Sequence, residues 1–334
     1  MRPSVTLTFT ALFIGVGIFY LHYYGMPAVK REAPAADSGP AKLLDLEADA
    51  ITFIQLQKPD DKETMTLERS GKEWVLKYPV TYQADKTMVD GLMTALRISQ
   101  KARRLTREKG WEEYGLLQPG LKIGIEAKGL PKRKYLLLGD LSPVAAMVFA
   151  RWEDEADYFL LDARFKQAFD RSVYALREKR LVRLPLNSLE KIHVQTFSNN
   201  FELSQRNSQW FWTEPIARLG KPAPREQMYE ILMALRELYV KEFWDGQPVQ
   251  ETERGFSVSG PAIQVWDKNG KTSAVRFGNA VTEHDAYTAL IDSEQVVLEV
   301  ARGNIENFFK IFDTSEEKGG AVAAGTDSRT NPPA

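Results

Sequence analysis

Two stretches of this chain, SGKEWVLKYP at 70–79 and RNSQWFWTEP at 206–215, carry the same pattern of residues. In each stretch a tryptophan precedes a proline by five positions, within a run of β-favouring residues that follows a turn signal. Trp74 is separated from Trp210 by the same length of chain that separates Pro79 from Pro215. A shared spacing of this kind indicates an internal duplication.

Later blocks of sequence repeat in the same order. LKIGIEAKG at 121–129 matches AIQVWDKNG at 262–270, and LLLGD at 136–140 matches VRFGN at 275–279. The separation between matching blocks stays nearly constant along the chain. Because chance similarity rarely preserves both order and spacing, the matches predict two homologous units in tandem.

The duplication and the composition of the flanking segments predict five parts of the chain. A transmembrane anchor occupies residues 1–28 and a linker residues 29–45. The two units follow at 46–184 and 185–314, and a tail poor in large apolar residues, predicted to be disordered, occupies 315–334.

The same order of secondary structure is predicted for each unit. Strands at 51–57 and 73–78 form the start of an antiparallel meander in the first unit. In the second unit Met228, Ile231 and Leu235 recur with the period of a helix that covers a sheet. The predicted class is α+β, with mainly antiparallel sheet and one long packing helix in each unit.

The membrane anchor is predicted from residues 5–24, which contain no Asp, Glu, Lys or Arg. Twenty helical residues span the roughly 30 Å hydrocarbon core of a bilayer. A cleavable signal peptide is the alternative, but it needs a shorter apolar region and a small-x-small cleavage site. The exit HYYGMPAVK instead places tyrosines where an interfacial aromatic belt is expected.

The charges that flank the anchor set its orientation only weakly, because Arg2 on one side faces Lys30 and Arg31 on the other. We favour a cytoplasmic amino terminus and an extracytoplasmic body, which lies in the periplasm if the cell is Gram-negative. The expected location is the inner membrane, with a single pass. A chain without cysteine suits an oxidising compartment but does not require one.

The composition excludes several classes of function. Lys and Arg number 44 against 45 Asp and Glu, which argues against a nucleic-acid partner. The absence of cysteine excludes disulfides, thiolate catalysis and iron–sulfur clusters. Only three histidines remain for acid–base or metal chemistry. The expectation is a protein that is not an enzyme and has no cofactor.

Three local motifs resemble sites but lack a required residue. Gly270-Lys271-Thr272 resembles the end of a phosphate loop, yet the first glycine is replaced by Val265, and Asn269-Gly270 predicts a type I′ hairpin turn instead. The stretch at 255–260 resembles a nucleophile elbow with serine in place of its last glycine. Glu283-His284-Asp285 has no second histidine near it, so an exposed loop is expected rather than a metal site.

Five residues are candidates for contact with a partner. Trp152, Trp212 and Trp244 have no tryptophan at the equivalent position of the other unit, and exposed tryptophan favours a binding face. Arg180 and Arg183 belong to a basic cluster at the predicted junction of the units. The alternatives are core packing for each tryptophan and a solvated surface for the arginines.

The order of motifs resembles the bacterial family catalogued as domain of unknown function 4340. In the first unit the matching pieces are Trp74 and Pro79, Ala84-Asp85, Leu92 to Leu96, Tyr114-Gly115-Leu116 with Pro119, and Leu138-Gly139-Asp140. The second unit matches more loosely, because Arg254-Gly255-Phe256 replaces Tyr-Gly-Leu and Asn279 replaces the aspartate.

The resemblance implies a single amino-terminal membrane span, a repeated extracytoplasmic body, and an association with auxiliary subunits of ABC-type export systems related to gliding-motility machinery. It carries over no catalytic residue. The expected function is therefore a membrane-anchored accessory or scaffold protein that contacts an ABC permease or auxiliary envelope protein. The alternative is a binding module for an envelope glycan or lipid, held in a cleft between the units.

Removal of residues 1–28 is expected to release the chain from membranes, because the apolar segment provides the predicted attachment. Full-length and truncated chains are compared by sedimentation after alkaline carbonate extraction, and only the full-length chain should stay in the pellet. The orientation is tested with a reporter enzyme that works only outside the cytoplasm. Fused after Ala334, this reporter should show activity. Equal extraction of both chains would contradict the anchor, and a reporter active only in the cytoplasm would contradict the orientation.

Overall fold

The computed structural model describes residues 41–59, 64–105, 110–143 and 146–320. The predicted transmembrane anchor, most of the predicted linker and the end of the predicted tail lie outside these residues. Within them, no helix combines the length and the apolar character that a membrane crossing needs. The described residues form mainly antiparallel sheets with a few helices, and the predicted α+β class is confirmed.

The first unit contains a nine-stranded antiparallel sheet and a small two-stranded one. In chain order the strands are β1 (Ala41–Lys42), β2 (Ile51–Gln57), β3 (Thr64–Ser70), β4 (Glu73–Tyr78), β5 (Tyr82–Gln83), β6 (Gln100–Lys101), β7 (Arg103–Leu105), β8 (Leu121–Ala127), β9 (Lys134–Leu141), β10 (Met147–Trp152) and β11 (Tyr158–Asp162). Their spatial order is β5-β4-β3-β2-β8-β9-β10-β11-β7, and β1 pairs with β6. The helices are α1 (Lys86–Ile98), α2 (Ala163–Phe169) and α3 (Val173–Leu176).

The second unit contains an eight-stranded antiparallel sheet. Its strands are β12 (Leu189–Gln195), β13 (Asn200–Arg206), β14 (Gln209–Glu214), β15 (Val240–Trp244), β16 (Ala262–Asp267), β17 (Thr272–Val281), β18 (Ala286–Ile291) and β19 (Val297–Ala301). The spatial order is β14-β13-β12-β16-β17-β18-β19-β15. The helices are α4 (Arg225–Arg236) and α5 (Arg302–Gly320).

The two sheets have the same topology, which confirms the duplicated units. Apart from β5, each strand of the first sheet has a counterpart at the same place in the second. The strand registers agree as well, because the pair Met147 and Asp162 in the first sheet corresponds to the pair Ala286 and Ala301 in the second. In both units the chain crosses from the meander, through the long helix, to the far edge of the sheet before it returns to the centre.

One face of each sheet carries the main hydrophobic core under the long helix. In α1 the buried side chains include Val89, Leu92 and Leu96, which lie at helical spacing on one face. Asp85 caps this helix by accepting a hydrogen bond from the backbone N–H of Met88 at 3.0 Å. Each fully buried leucine contributes about 1.5–3 kcal/mol, so this apolar face fixes the helix on the sheet.

The ordered structure extends beyond the predicted borders of the units. Leu43, inside the predicted linker, is buried in the first core, and β1 pairs with β6. Helix α5 runs on to Gly320, so residues 315–320 of the predicted tail are helical, because adding a residue to an existing helix costs far less than starting one. Leu181, Val182 and Leu184 pack in the second core.

The opposite face of the first sheet is covered by the turn Tyr114-Gly115-Leu116. Leu116 is fully buried against this face. A methyl group at Gly139 of β9 would overlap the carbonyl oxygen of Tyr114, and Gly115 has a φ of 65°. Both glycines are therefore required by the close approach of two backbone segments, and the motif that resembles the family has a structural role here.

The second unit repeats this contact with different side chains. Phe256 of the turn Arg254-Gly255-Phe256 is buried, and a methyl group at Gly278 would overlap the carbonyl oxygen of Arg254. The backbone N–H of Asn279 donates to that same carbonyl at 2.8 Å. The replacements in the second unit therefore keep the backbone contact of the first.

The hairpin predicted at Asn269-Gly270 is confirmed, but the predicted turn type is wrong. Gly270 has a φ of 77°, whereas Asn269 keeps a negative φ, so the turn is not type I′. The carboxylate of Asp267 accepts hydrogen bonds from the N–H groups of Asn269 at 2.8 Å and Lys271 at 2.9 Å. These bonds favour a three-residue loop that ends in a left-handed glycine.

Replacement of Gly139 or Gly278 by alanine is expected to lower the free energy of unfolding by about 1–3 kcal/mol, because the added methyl group overlaps a carbonyl oxygen. Gly91→Ala is the control, since that glycine lies inside α1 with open space around it, and alanine there should stabilise by up to about 1 kcal/mol. Urea denaturation followed by circular dichroism gives the values. Equal effects at all three positions would contradict the close approach.

Candidate functional site

A junction segment, residues 177–184, links the two units by backbone hydrogen bonds to both. The N–H of Glu178 donates to the carbonyl of Gln83 in the first unit at 2.9 Å. The N–H of Leu181 donates to the carbonyl of Leu238 in the second unit at 3.1 Å. Since these bonds use main-chain atoms on both sides, the segment belongs structurally to both units.

Arg177 is the most buried charged side chain of the junction, with a side-chain exposure of 2%. Its guanidinium carbon lies 3.6 Å from the ring centroid of Phe243 in the second unit and 4.3 Å from that of Tyr82 in the first. Its Nη1 lies 2.6 Å from the carboxylate of Asp245. One cation therefore contacts an aromatic ring from each unit, an arrangement favoured when the cation is desolvated.

Arg183 makes a second set of contacts across the junction. It donates to the hydroxyl oxygen of Tyr82 at 2.6 Å and to the side-chain oxygen of Gln83 at 3.0 Å, and it forms an ion pair with Glu294 of the second unit. Burial raises the pKa of Tyr82 well above its ordinary value, so its hydroxyl stays protonated. Arg183 thus joins the first sheet to the loop before β19.

Glu178 and Arg180 form a bidentate pair next to these contacts. Arg180 Nε and Nη2 donate to the two carboxylate oxygens of Glu178 at 2.9 and 2.5 Å. Burial of Glu178 favours its neutral form, but the hydrogen bonds from Arg180 outweigh that effect and lower its pKa. Glu178 therefore stays ionised, and Arg180, 44% exposed, faces the space between the units.

A cleft of about 880 Å³ lies beside the junction segment, between α1 with the first sheet and the start of the second unit. Most of the residues that line it are charged. The acidic ones are Glu47, Asp49, Glu73, Asp90, Glu178 and Asp267, and the basic ones are Arg69, Lys72, Lys86, Arg97, Arg180, Arg183 and Lys271. Trp74, which is 9% exposed, is the one aromatic side chain among these described lining residues.

The lining of the cleft defines what it can bind. Charges of both signs offer ion pairs and charge-assisted hydrogen bonds to a ligand that carries both signs itself. An acyl chain needs a predominantly apolar lining, which this cleft does not provide. A sugar ring is commonly held by exposed aromatic faces, and Trp74 is almost completely buried. The cleft therefore offers charged and polar contacts rather than an apolar surface.

The residues predicted to contact a partner have different positions in the structure. Trp152 and Trp212 are packed in the two cores, at 2% and 3% exposure. Trp244 is half-buried and lies on the opposite face of the second sheet. Arg180 and Arg183 both line the cleft. Contact with a partner through Trp244, Arg180 and Arg183 stays a prediction.

A separate polar cluster lies at the far edge of the second sheet, around His284. Its Nδ1 is 2.9 Å from both carboxylate oxygens of Glu299 and 3.9 Å from the carboxylate of Glu242. The hydrogen bond to Glu299 raises the pKa of the His284 imidazole. Trp244 Nε1 donates to Glu299 at 2.7 Å. His284 therefore lies in an exposed turn, as predicted, and in addition has specific partners on two strands.

Sequence reasoning missed this cluster because its members are far apart in the chain. Glu242 lies on β15, a strand that was not predicted, and Glu299 lies on β19, inside the otherwise apolar run VVLEV. Glu299, a single carboxylate in an otherwise apolar strand, was the signal in the sequence that could have pointed to the cluster. An ionised side chain is rarely buried without a partner.

Arg177→Ala is expected to lower the free energy of unfolding by about 2–4 kcal/mol, because it removes a buried cation from two rings and a carboxylate. Arg236→Ala is the control, since that arginine pairs with Glu237 at the surface, and an effect within about 0.5 kcal/mol is expected. Chemical denaturation measures both. An Arg177→Ala chain as stable as the control would contradict the role of Arg177 in the junction.

The comparisons with known proteins give one match. The sequence model of the family described as Domain of unknown function (DUF4340) matches residues 74–257. No curated protein and no solved structure matches the chain. The matched segment begins at Trp74, includes the Tyr-Gly-Leu turn and the junction segment, and ends at the turn that follows Phe256. It covers more than half of the chain, and the chain therefore belongs to the DUF4340 family.

Proposed function

We propose that this chain is a membrane-anchored, non-enzymatic accessory protein of an ABC-type export system, and that its two units hold a partner protein in the cleft between them. The observation that carries the proposal is the cleft itself, which is lined by charges of both signs and bordered by a junction fixed through Arg177 and Arg183.

A fixed junction supports a scaffold role. Arg177 contacts rings from both units, and Arg183 pairs with groups from both units, so a change in the angle between the units would break several buried contacts. A binding surface that is ordered before the partner arrives loses less conformational entropy on association. The cleft is therefore suited to holding a partner in one orientation.

The identity of the partner is inferred from the family and from the predicted anchor. The resemblance stated above associates such chains with auxiliary subunits of ABC-type exporters. A single predicted span would place the body next to the extracytoplasmic face of the inner membrane. A permease or an auxiliary envelope protein is then within reach of the cleft.

The charged lining favours a protein partner over the alternative, an envelope glycan or lipid. Polypeptide surfaces present both carboxylates and basic groups, whereas a lipid tail presents neither. The expectation that the chain has no enzymatic activity stays part of the proposal. Nothing in the proposed role requires a bond to be made or broken.

The test uses a photo-crosslinking amino acid in the full-length chain in native membranes. Arg97, which lines the cleft near the end of α1, is one position, and Arg236, its equivalent in α4, is the matched control outside the cleft. A crosslink from position 97 to an ABC permease or auxiliary subunit, absent from position 236, is the expected result.

Other outcomes of this experiment would count against the proposal. Identical products from positions 97 and 236 would show that the cleft does not select a partner. Crosslinks from position 97 to lipid or glycan alone would favour the alternative function. Products that contain no export component would overturn the proposed association.

A further inference from the structure

The cluster around His284 combines three metal-binding groups from three elements. Glu242 lies on β15, Glu299 on β19, and His284 at the end of the short turn Thr282–His284. One ligand atom from each residue lies within 4.8 Å of the others. Imidazole nitrogen and carboxylate oxygen together are typical ligands of Zn²⁺ and other divalent first-row metals.

Two of the three separations between ligand atoms are close to those around a bound zinc ion, and the third is no more than 4.8 Å. Ligand atoms lie about 2.0 Å from tetrahedral zinc and therefore about 3.3 Å from one another. In the structure Nδ1 of His284 lies 2.9 Å from Glu299 and 3.9 Å from Glu242. Shifts of less than about 1 Å in exposed side chains would bring both to that value, because His284 and Glu242 are 46% and 56% exposed.

Glu299 is buried and is held in place by a hydrogen bond from a neighbouring side chain, as carboxylates that bind metals often are. Its side chain has 0% exposure, and Trp244 Nε1 donates to it at 2.7 Å. Hydrogen bonds of this kind orient the carboxylates that bind metals. Glu242 lies directly opposite Glu299 across the β15–β19 pair, where two like charges destabilise a sheet. A divalent cation would remove that repulsion.

The fold itself does not require the two carboxylates. In the matching registers of the two sheets, Leu160 takes the place of Glu299, and Arg103 on β7 takes the place of Glu242. The first unit builds the same pair of edge strands without either carboxylate. The cluster is therefore a feature of the second unit alone and is not explained by the topology that the units share.

We propose that Glu242, His284 and Glu299 bind a divalent transition metal ion of the Zn²⁺ class. The imidazole binds through Nδ1, and its proton on that atom passes to solvent when the cation replaces it beside Glu299. The exposed side of the cluster leaves room for water or for a further ligand atom to complete the coordination. The site is separate from the cleft and does not depend on the proposed export role.

The test is a Zn²⁺ titration of the full-length chain in detergent, treated with a chelator and carrying no polyhistidine tag. The chain has no cysteine and only three histidines, so few other zinc sites compete. Calorimetry should show one Zn²⁺ per chain, and saturating Zn²⁺ should raise the Tm. Glu242→Gln and His284→Ala should each weaken binding by at least about tenfold.

Matched variants separate the site from adventitious binding. Glu283→Gln removes a neighbouring carboxylate outside the cluster, and His193→Ala removes a histidine on β12, so both should bind Zn²⁺ like the unmodified chain. Glu299→Leu introduces leucine, the residue that the first unit has at the equivalent position, Leu160. This variant should fold but should not bind Zn²⁺.

Three results would overturn the proposal. The first is no saturable Zn²⁺ binding by the unmodified chain. The second is unchanged affinity in both Glu242→Gln and His284→Ala; Glu242 is exposed and its replacement should not disturb folding, and circular dichroism checks that the His284→Ala chain, whose buried Glu299 loses a partner, is folded. The third is binding of Ca²⁺ or Mg²⁺ as tight as that of Zn²⁺, because a site with an imidazole ligand should prefer the transition metal.

Discussion

The contact of one buried guanidinium, that of Arg177, with rings from both units determines how the halves of this protein meet. A cation that loses its hydration on burial recovers that loss only through groups placed around it, here Tyr82, Phe243 and Asp245. A rotation that moved Tyr82 or Phe243 more than about 6 Å from the guanidinium would lose one of the two ring contacts. These contacts therefore favour the arrangement of the two units that forms the cleft beside the junction.

Much of the fold could be predicted because its signals are local. The strands β2 and β4 have the predicted bounds, since apolar residues there are enclosed by turn residues. The edge strands β7 and β15 were missed, because the short runs RRL and VKEFW lack apolar alternation. Their place at the far edge of each sheet depends on partner strands that come much later in the chain.

The candidate sites depend on pairs that sequence spacing does not reveal. Arg183 was a candidate from its basic neighbours, but its partners Tyr82 and Glu294 lie far from it in the chain, on opposite sides. The histidine at 284 was considered beside its neighbours in sequence, whereas its partner Glu299 comes from another strand. Sequence reasoning singled out some members of each site, Arg180 and Arg183 at the cleft and Trp244 and His284 in the cluster, but not their partners, because packing brings those together.

The order of strands has a consequence for how the chain is made. In each unit the far-edge strand leaves the ribosome or a translocon long before its neighbour, since β7 ends at residue 105 and β11 begins at residue 158. Until β11 arrives, β7 has no partner, and such long-range pairing is slow to form. Each unit can therefore close its sheet only after almost its entire length has emerged, and a chain interrupted earlier exposes an open edge to aggregation.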